Sequence, residues 1–140
     1  MKQLHAYLEL LRPLHWVKNA FVLAGVIFGH AWDDPATLMA ALIVTAAFCL
    51  ASSATYAFND CRDAEQDRDH PDKRDRPVAR GAVREREAYA IAAILAGAAL
   101  ALALSAGPVA AAIIAVYLVL NVGYTLGLKR VPVEIGRAHV

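Results

Sequence analysis

The sequence predicts an all-α membrane protein with four transmembrane helices. Three observations carry that reading. The 140-residue chain is 59% hydrophobic and has a mean hydropathy of +0.42, above the roughly one-half apolar share of a soluble domain. Its apolar residues fall in long uncharged runs. Its charges gather in one stretch, "NDCRDAEQDRDHPDKRDRPVARG" (Asn59 to Gly81), where seven of 23 residues are acidic and six are Lys or Arg.

The elements follow in order. Met1 to Arg12 is polar and mixed, and no small-residue cleavage site follows a short apolar core, so the first helix is expected to stay. That helix runs from about Leu14 to Trp32 and is apolar apart from Lys18 and Asn19 near its start. Ala36–Phe58 is 23 residues without a charge, Ala88–Ala106 is 19, and Pro108–Leu128 is 21. A spanning helix needs about 20. Four such helices, joined by a charged loop over 59–87, leave no room for a soluble domain. Cys49 falls in a helix and Cys61 in the charged stretch, a placement that makes neither a disulfide framework nor a zinc spacing.

Basic residues set the orientation. Lys2 and Arg12 precede the first helix, eight Lys or Arg from Arg62 to Arg86 separate the second from the third, and Lys129 and Arg130 follow the fourth. The other two connections contain no Lys or Arg. The positive-inside rule therefore places the N-terminus and the charged loop in the cytoplasm of a multi-pass protein, as in a bacterial inner membrane.

A loop rich in both charges is commonly a solvated topology signal. The spacing here points further. Asp60, Asp63 and Asp67 stand at i, i+3 and i+7, with Asn59 four before Asp63. If the second helix continues past the membrane surface, these groups share one face. Stacked like charges repel by a few tenths of a kcal/mol per pair, unless a cation sits between them. Mg²⁺ suits such carboxylates, which it takes together with phosphate oxygens and water. Lys73, Arg74, Arg76 and Arg80 follow, and Pro71 and Pro77 prevent a continuous helix. The backbone should bend and bring the bases back over the acids. Acids for Mg²⁺ beside bases for oxygens make a pyrophosphate site.

At these residues the sequence resembles a known family. "NDCRDAEQD" is similar to the first aspartate-rich motif, NDxxDxxxD, of the UbiA-type intramembrane prenyltransferase superfamily. "LLRPLHWVKNAFVLAGVIFG" (Leu10 to Gly29), "HPDKRDRPVARG" and "YTLGLKRVPV" (Tyr124 to Val133) resemble signatures of its decaprenyl-phosphate phosphoribosyltransferase branch. The resemblance covers nearly the whole chain. It implies a bundle of about nine helices, of which residues 1–133 would be the N-terminal part. It also implies a second Asp-rich motif that this sequence lacks, so the segment alone is expected to be inactive. Glu134 to Val140 is read as a non-native tail.

The resemblance further implies Mg²⁺ on Asn59, Asp60, Asp63 and Asp67, with Asp60, Asp63 and Asp67 as the catalytic acids. Lys73 and Arg76 would hold phosphate oxygens. The match at WVKN adds Lys18 and Asn19, and the tyrosine–lysine signature adds Tyr124 and Lys129. Each has a plainer reading as well. Lys18 can snorkel from a helix end, whereas a charge at the bilayer centre costs about 2.5–3.5 kcal/mol. Tyr124 and Lys129 suit an interfacial belt.

The implied reaction moves 5-phosphoribosyl from phosphoribosyl pyrophosphate to polyprenyl phosphate. An alternative is transfer of an isoprenyl group from its diphosphate to an aromatic or quinone-precursor acceptor. A transporter would place ionisable groups at the membrane midplane, and here they gather at one edge. The partners expected are the bilayer, the polyprenyl phosphate and the diphosphate donor; no nucleic acid is expected.

Overall fold

The computed structural model describes residues 2–127, and every described element is helical. The expected end of the fourth helix at Leu128, the candidate Lys129 and the tail 134–140 lie outside these residues. In chain order the elements are α1 (Lys2–Leu11), a 3₁₀ helix (Pro13–Ala20), α2 (Phe21–Phe28), α3 (Pro35–Asp69), α4 (Glu85–Ala106) and α5 (Pro108–Leu126).

Among the described residues three helices, α3, α4 and α5, are long and apolar enough to cross a membrane. The remaining expected span, Leu14 to Trp32, is helical in two short pieces. Its start explains the break. Arg12 sits in the left-handed region, at φ 49 and ψ 55, and Pro13 opens the 3₁₀ turn. In a 3₁₀ helix residues three apart share a face. Trp16 and Asn19 use that face to reach α3: Trp16 Nε1 donates to Ser53 Oγ at 2.9 Å, and Asn19 Nδ2 to Ser52 Oγ at 3.3 Å.

Helix α3 organises the rest. Asp34 caps its start by accepting from the Ala36 and Thr37 backbone N–H groups at 3.2 Å, and Pro35 occupies the first turn. This pattern lowers the cost of the unpaired donors there. The helix then runs 35 residues without a break, through the apolar stretch and into the charged one. The charged segment expected as a loop over 59–87 is therefore helical to Asp69, and turns occupy only 70–84. His70 leaves the helix with extended backbone just before Pro71, as a residue preceding proline must.

Two clusters of small residues hold the helices together. Near the charged end, Ala6 and Leu10 of α1 meet Ala57, Cys61 and Ala64 of α3, Val78 and Val83 of the turns, and Ala88 and Ala92 of α4. Deeper in the apolar part, Ala47 and Ala51 of α3 meet Ala99 and Ala103 of α4 and Ile114 of α5. Alanine at these positions lets helix backbones approach closely, which in lipid replaces the hydrophobic drive of a soluble core. Gly107, at φ 137, makes the short reversal from α4 to α5, a conformation that favours glycine.

Candidate active site

The site lies where α3 leaves its apolar stretch. Asp60 and Asp67 are seven residues apart, two helical turns, so both carboxylates fall on one face. That face is covered. Asp60 is 1% exposed and Asp67 is 3% exposed. Buried carboxylates need partners, and two arginines supply them. Arg76 Nη1 donates to Asp67 Oδ2 at 2.8 Å and to Asp60 Oδ1 at 3.3 Å. Arg12 Nη2 donates to both oxygens of Asp60, at 2.8 and 3.1 Å.

The turns after α3 bring Arg76 back. Arg76 N–H donates to the Lys73 carbonyl at 3.0 Å, Arg80 N–H to the Arg76 carbonyl at 2.9 Å, and Val83 N–H to the Pro77 carbonyl at 3.1 Å. Arg68 of α3 donates to the Ala79 carbonyl at 3.1 Å and ties the segment down. The expected bend over the acids is therefore present, and Arg76 is the base that makes it. Lys73 is half-buried in the same turns. Arg80 turns elsewhere, to Glu9 of α1 at 2.6 Å, and Arg74 is exposed.

In the sequence Arg12 reads only as a topology charge, not as a site residue. Its partner is 48 residues away, so no local pattern links the two; the sole signal is its place in "RPLHWVKN". Its guanidinium also lies 4.9 Å from the centre of the Tyr56 ring, a cation–π contact. The Tyr56 hydroxyl is 3.5 Å from His15 Nδ1.

The other candidates are divided. Asn59 Oδ1 accepts from Thr125 Oγ1 at 3.4 Å. Asn59 and Tyr124 line one cavity of about 240 Å³ with Arg12, Thr55, Tyr56, Asn121 and Thr125. Asp63 is half-buried on α3. Lys18 is exposed. Asn19 bonds Ser52, eight residues or about 12 Å along α3 from Asp60, and so is not brought to the acids. A second space of about 290 Å³, lined by Ala54, Phe58, Ala92, Leu118 and Val122 among others, is apolar and also borders Thr55.

Among the described residues no three His, Cys, Asp or Glu side chains converge as a metal site. Two do converge on one positive nitrogen, Asp60 and Asp67 on Arg76 Nη1. Their hard oxygens, held here by the Arg76 and Arg12 guanidiniums, are donors of the kind that Mg²⁺ takes, so the acids fit such an ion, with the two arginines its competitors for the same oxygens.

The sequence model of the UbiA prenyltransferase family matches residues 19–135. The chain is 39% identical over 130 residues to a protein of Corynebacterium glutamicum named decaprenyl-phosphate phosphoribosyltransferase, covering 90% of this chain and 39% of that one. Proteins of the same name from Mycolicibacterium smegmatis and Mycobacterium tuberculosis are 40% identical over 130 residues and 42% identical over 123. They cover 87% and 85% of this chain, and 40% and 41% of their own lengths. The chain thus spans about two fifths of the curated relatives it matches.

Proposed function

Since the chain belongs to the UbiA prenyltransferase family, we propose that it forms the donor-binding part of a membrane transferase, one that moves 5-phosphoribosyl from phosphoribosyl pyrophosphate to polyprenyl (decaprenyl) phosphate. The observation that carries this reading is the pairing of Asp60 and Asp67 with Arg76 and Arg12, at the end of a helix whose preceding 23 residues are uncharged. Buried acids balanced by guanidiniums at a membrane edge suit a diphosphate whose acceptor is a lipid phosphate. The relatives' names supply the transferred group, phosphoribosyl, and the acceptor, decaprenyl phosphate.

In the transfer, the bond from the sugar C1 to the pyrophosphate oxygen breaks and the leaving pyrophosphate keeps the electron pair. An oxygen of the polyprenyl phosphate forms the new bond to C1. Asp60 and Asp67, with Asn59 and Asp63 on the same helix, would hold Mg²⁺. The ion would supply positive charge to the pyrophosphate where negative charge develops. Arg76 and Arg12, which hold the acids here, would offer their N–H groups to phosphate oxygens, which guanidinium forks match well. Lys73 stands in the same turns to add a further cation. The excess of basic residues at this end supports a cytoplasmic orientation on the inner membrane.

The test is exchange of labelled donors in membranes that contain the gene product in full. Label from the ribose of phosphoribosyl pyrophosphate should enter the lipid fraction with Mg²⁺ and decaprenyl phosphate, and should stop with EDTA. Label entering an aromatic acceptor from an isoprenyl diphosphate instead would overturn the donor and keep only the family chemistry.

A further inference from the structure

Two spaces on either side of Thr55 differ in chemistry. We infer that the 240 Å³ polar cavity is the pocket for the hydroxylated sugar of the donor, and that it is where a phosphoribosyl donor is told from an isoprenyl one. This inference rests on the diphosphate reading of the acid site and adds a place for the group attached to it.

Position is the first argument. The cavity shares Arg12 with the Asp60 clamp, and its wall includes Asn59, the neighbour of Asp60. A diphosphate held at Asp60 would therefore lie next to residues that line this cavity. The attached group must enter an adjoining space.

Lining chemistry is the second. Apart from Arg12, each lining residue carries a neutral hydroxyl or amide: Thr55, Tyr56, Asn59, Asn121, Tyr124 and Thr125. Hydroxyls and amides both donate and accept, which is what a polyol requires. An isoprenoid head placed there would strip water from these groups and return no hydrogen bonds. Sites built around substrate hydroxyls reject analogues lacking them far more strongly than apolar pockets reject an extra group. The apolar space across Thr55 offers the opposite surface, with Ala54, Phe58, Ala92, Leu118 and Val122. An isoprenoid belongs there.

Preorganisation is the third. Asn121 Nδ2 donates to the Tyr117 carbonyl at 2.8 Å, which fixes its amide plane. Thr125 and Asn59 hold each other. The Tyr56 ring is held by Arg12 and by His15, whose ring centroid lies 5.3 Å away. Polar groups held this way lose little freedom when a ligand binds.

The experiment measures binding to the full-length gene product in detergent with Mg²⁺. The probes are phosphoribosyl pyrophosphate, inorganic pyrophosphate and geranyl diphosphate. The variants are Asn121→Leu and Tyr56→Phe, neither of which hydrogen-bonds the acids. Each should weaken phosphoribosyl pyrophosphate roughly tenfold, the scale of one good hydrogen bond, while inorganic pyrophosphate stays within about twofold. Asn121→Leu should also tighten geranyl diphosphate. Retained pyrophosphate affinity shows that the variant is folded. Equal loss of both phosphate ligands, or no loss of either, overturns the sugar pocket and leaves the diphosphate site standing. A wild-type protein that binds geranyl diphosphate in preference to phosphoribosyl pyrophosphate overturns the donor assignment itself. Binding of no diphosphate overturns both.

Discussion

Arg12 holds both oxygens of Asp60, at 2.8 and 3.1 Å, while its own backbone sits in the left-handed region at φ 49. Non-glycine residues are uncommon there and cluster at functional sites. The clamp and the strain are one feature: the turn that ends α1 is what aims the guanidinium at α3.

The two contributions separate by substitution. Arg12→Gly and Arg12→Ala both delete the clamp, but glycine adopts the left-handed turn without steric cost. The glycine variant should be the more stable by about 1 kcal/mol, measured by denaturant unfolding in detergent. Equal stabilities would show that the turn carries no strain.

Asp60 and Asp63 should behave differently when replaced. Asp60→Asn leaves Arg12 and Arg76 facing a neutral group in a buried setting. Loss of one partner of a buried pair costs about 3 kcal/mol or more, so this variant should unfold earlier as well as lose Mg²⁺-dependent transfer. Asp63 is half-buried, and Asp63→Asn should lose transfer with a stability change below about 1 kcal/mol. Membrane insertion should be intact in both. Wild-type turnover in either would remove the acids from the mechanism.

Arg76 stands between two carboxylates that a cation would share. Arg76→Ala should therefore tighten Mn²⁺ binding, used as the probe ion, by roughly tenfold when no diphosphate is present, since a unit charge a few ångströms away is worth at least that much. The same variant should weaken inorganic pyrophosphate. Titration calorimetry reads both, and a parallel loss would mean that Arg76 supports the acids without competing for their ligand.

Acid should weaken the start of α3. The Thr37 hydroxyl, and then the Ala36 and Thr37 backbone N–H groups, hold the Asp34 carboxyl below its ordinary value. A depressed acid contributes stability above its unfolded value and loses it as pH falls through the folded one. Asp34→Asn, still able to cap, should remove that part of the acid dependence. Amide exchange at Ala36 and Thr37 below pH 4 is the readout.

Much of this arrangement was legible in the sequence, and the parts that were not share a cause. The acids' common face followed from i, i+3, i+7 spacing once α3 continued to Asp69, and Pro71 and Pro77 forecast the return of Arg76. Those are local signals. The broken first span was not legible, because hydropathy over Leu14–Trp32 cannot register that Trp16 and Asn19 dock on Ser53 and Ser52, 37 and 33 residues later. Asn19 matched a motif yet sits against α3, away from the acids. The roles of Arg12 and Thr125 are visible only after folding, since their partners, Asp60 and Asn59, lie on α3.

The unbroken course of α3 has a consequence for where the chemistry happens. At 1.5 Å per residue its 35 residues reach about 52 Å, against a hydrocarbon layer of about 30 Å. The uncharged run ends at Phe58 and the acids begin two residues later. With its uncharged run in the hydrocarbon, a rod of that length would set Asp60 at the depth of the lipid headgroups, level with the phosphate of the lipid acceptor proposed above. Bilayer thickness would then control the proposed transfer. Lipids with longer or shorter acyl chains would shift the acceptor's phosphate along the rod, and turnover should peak where that plane meets Asp60.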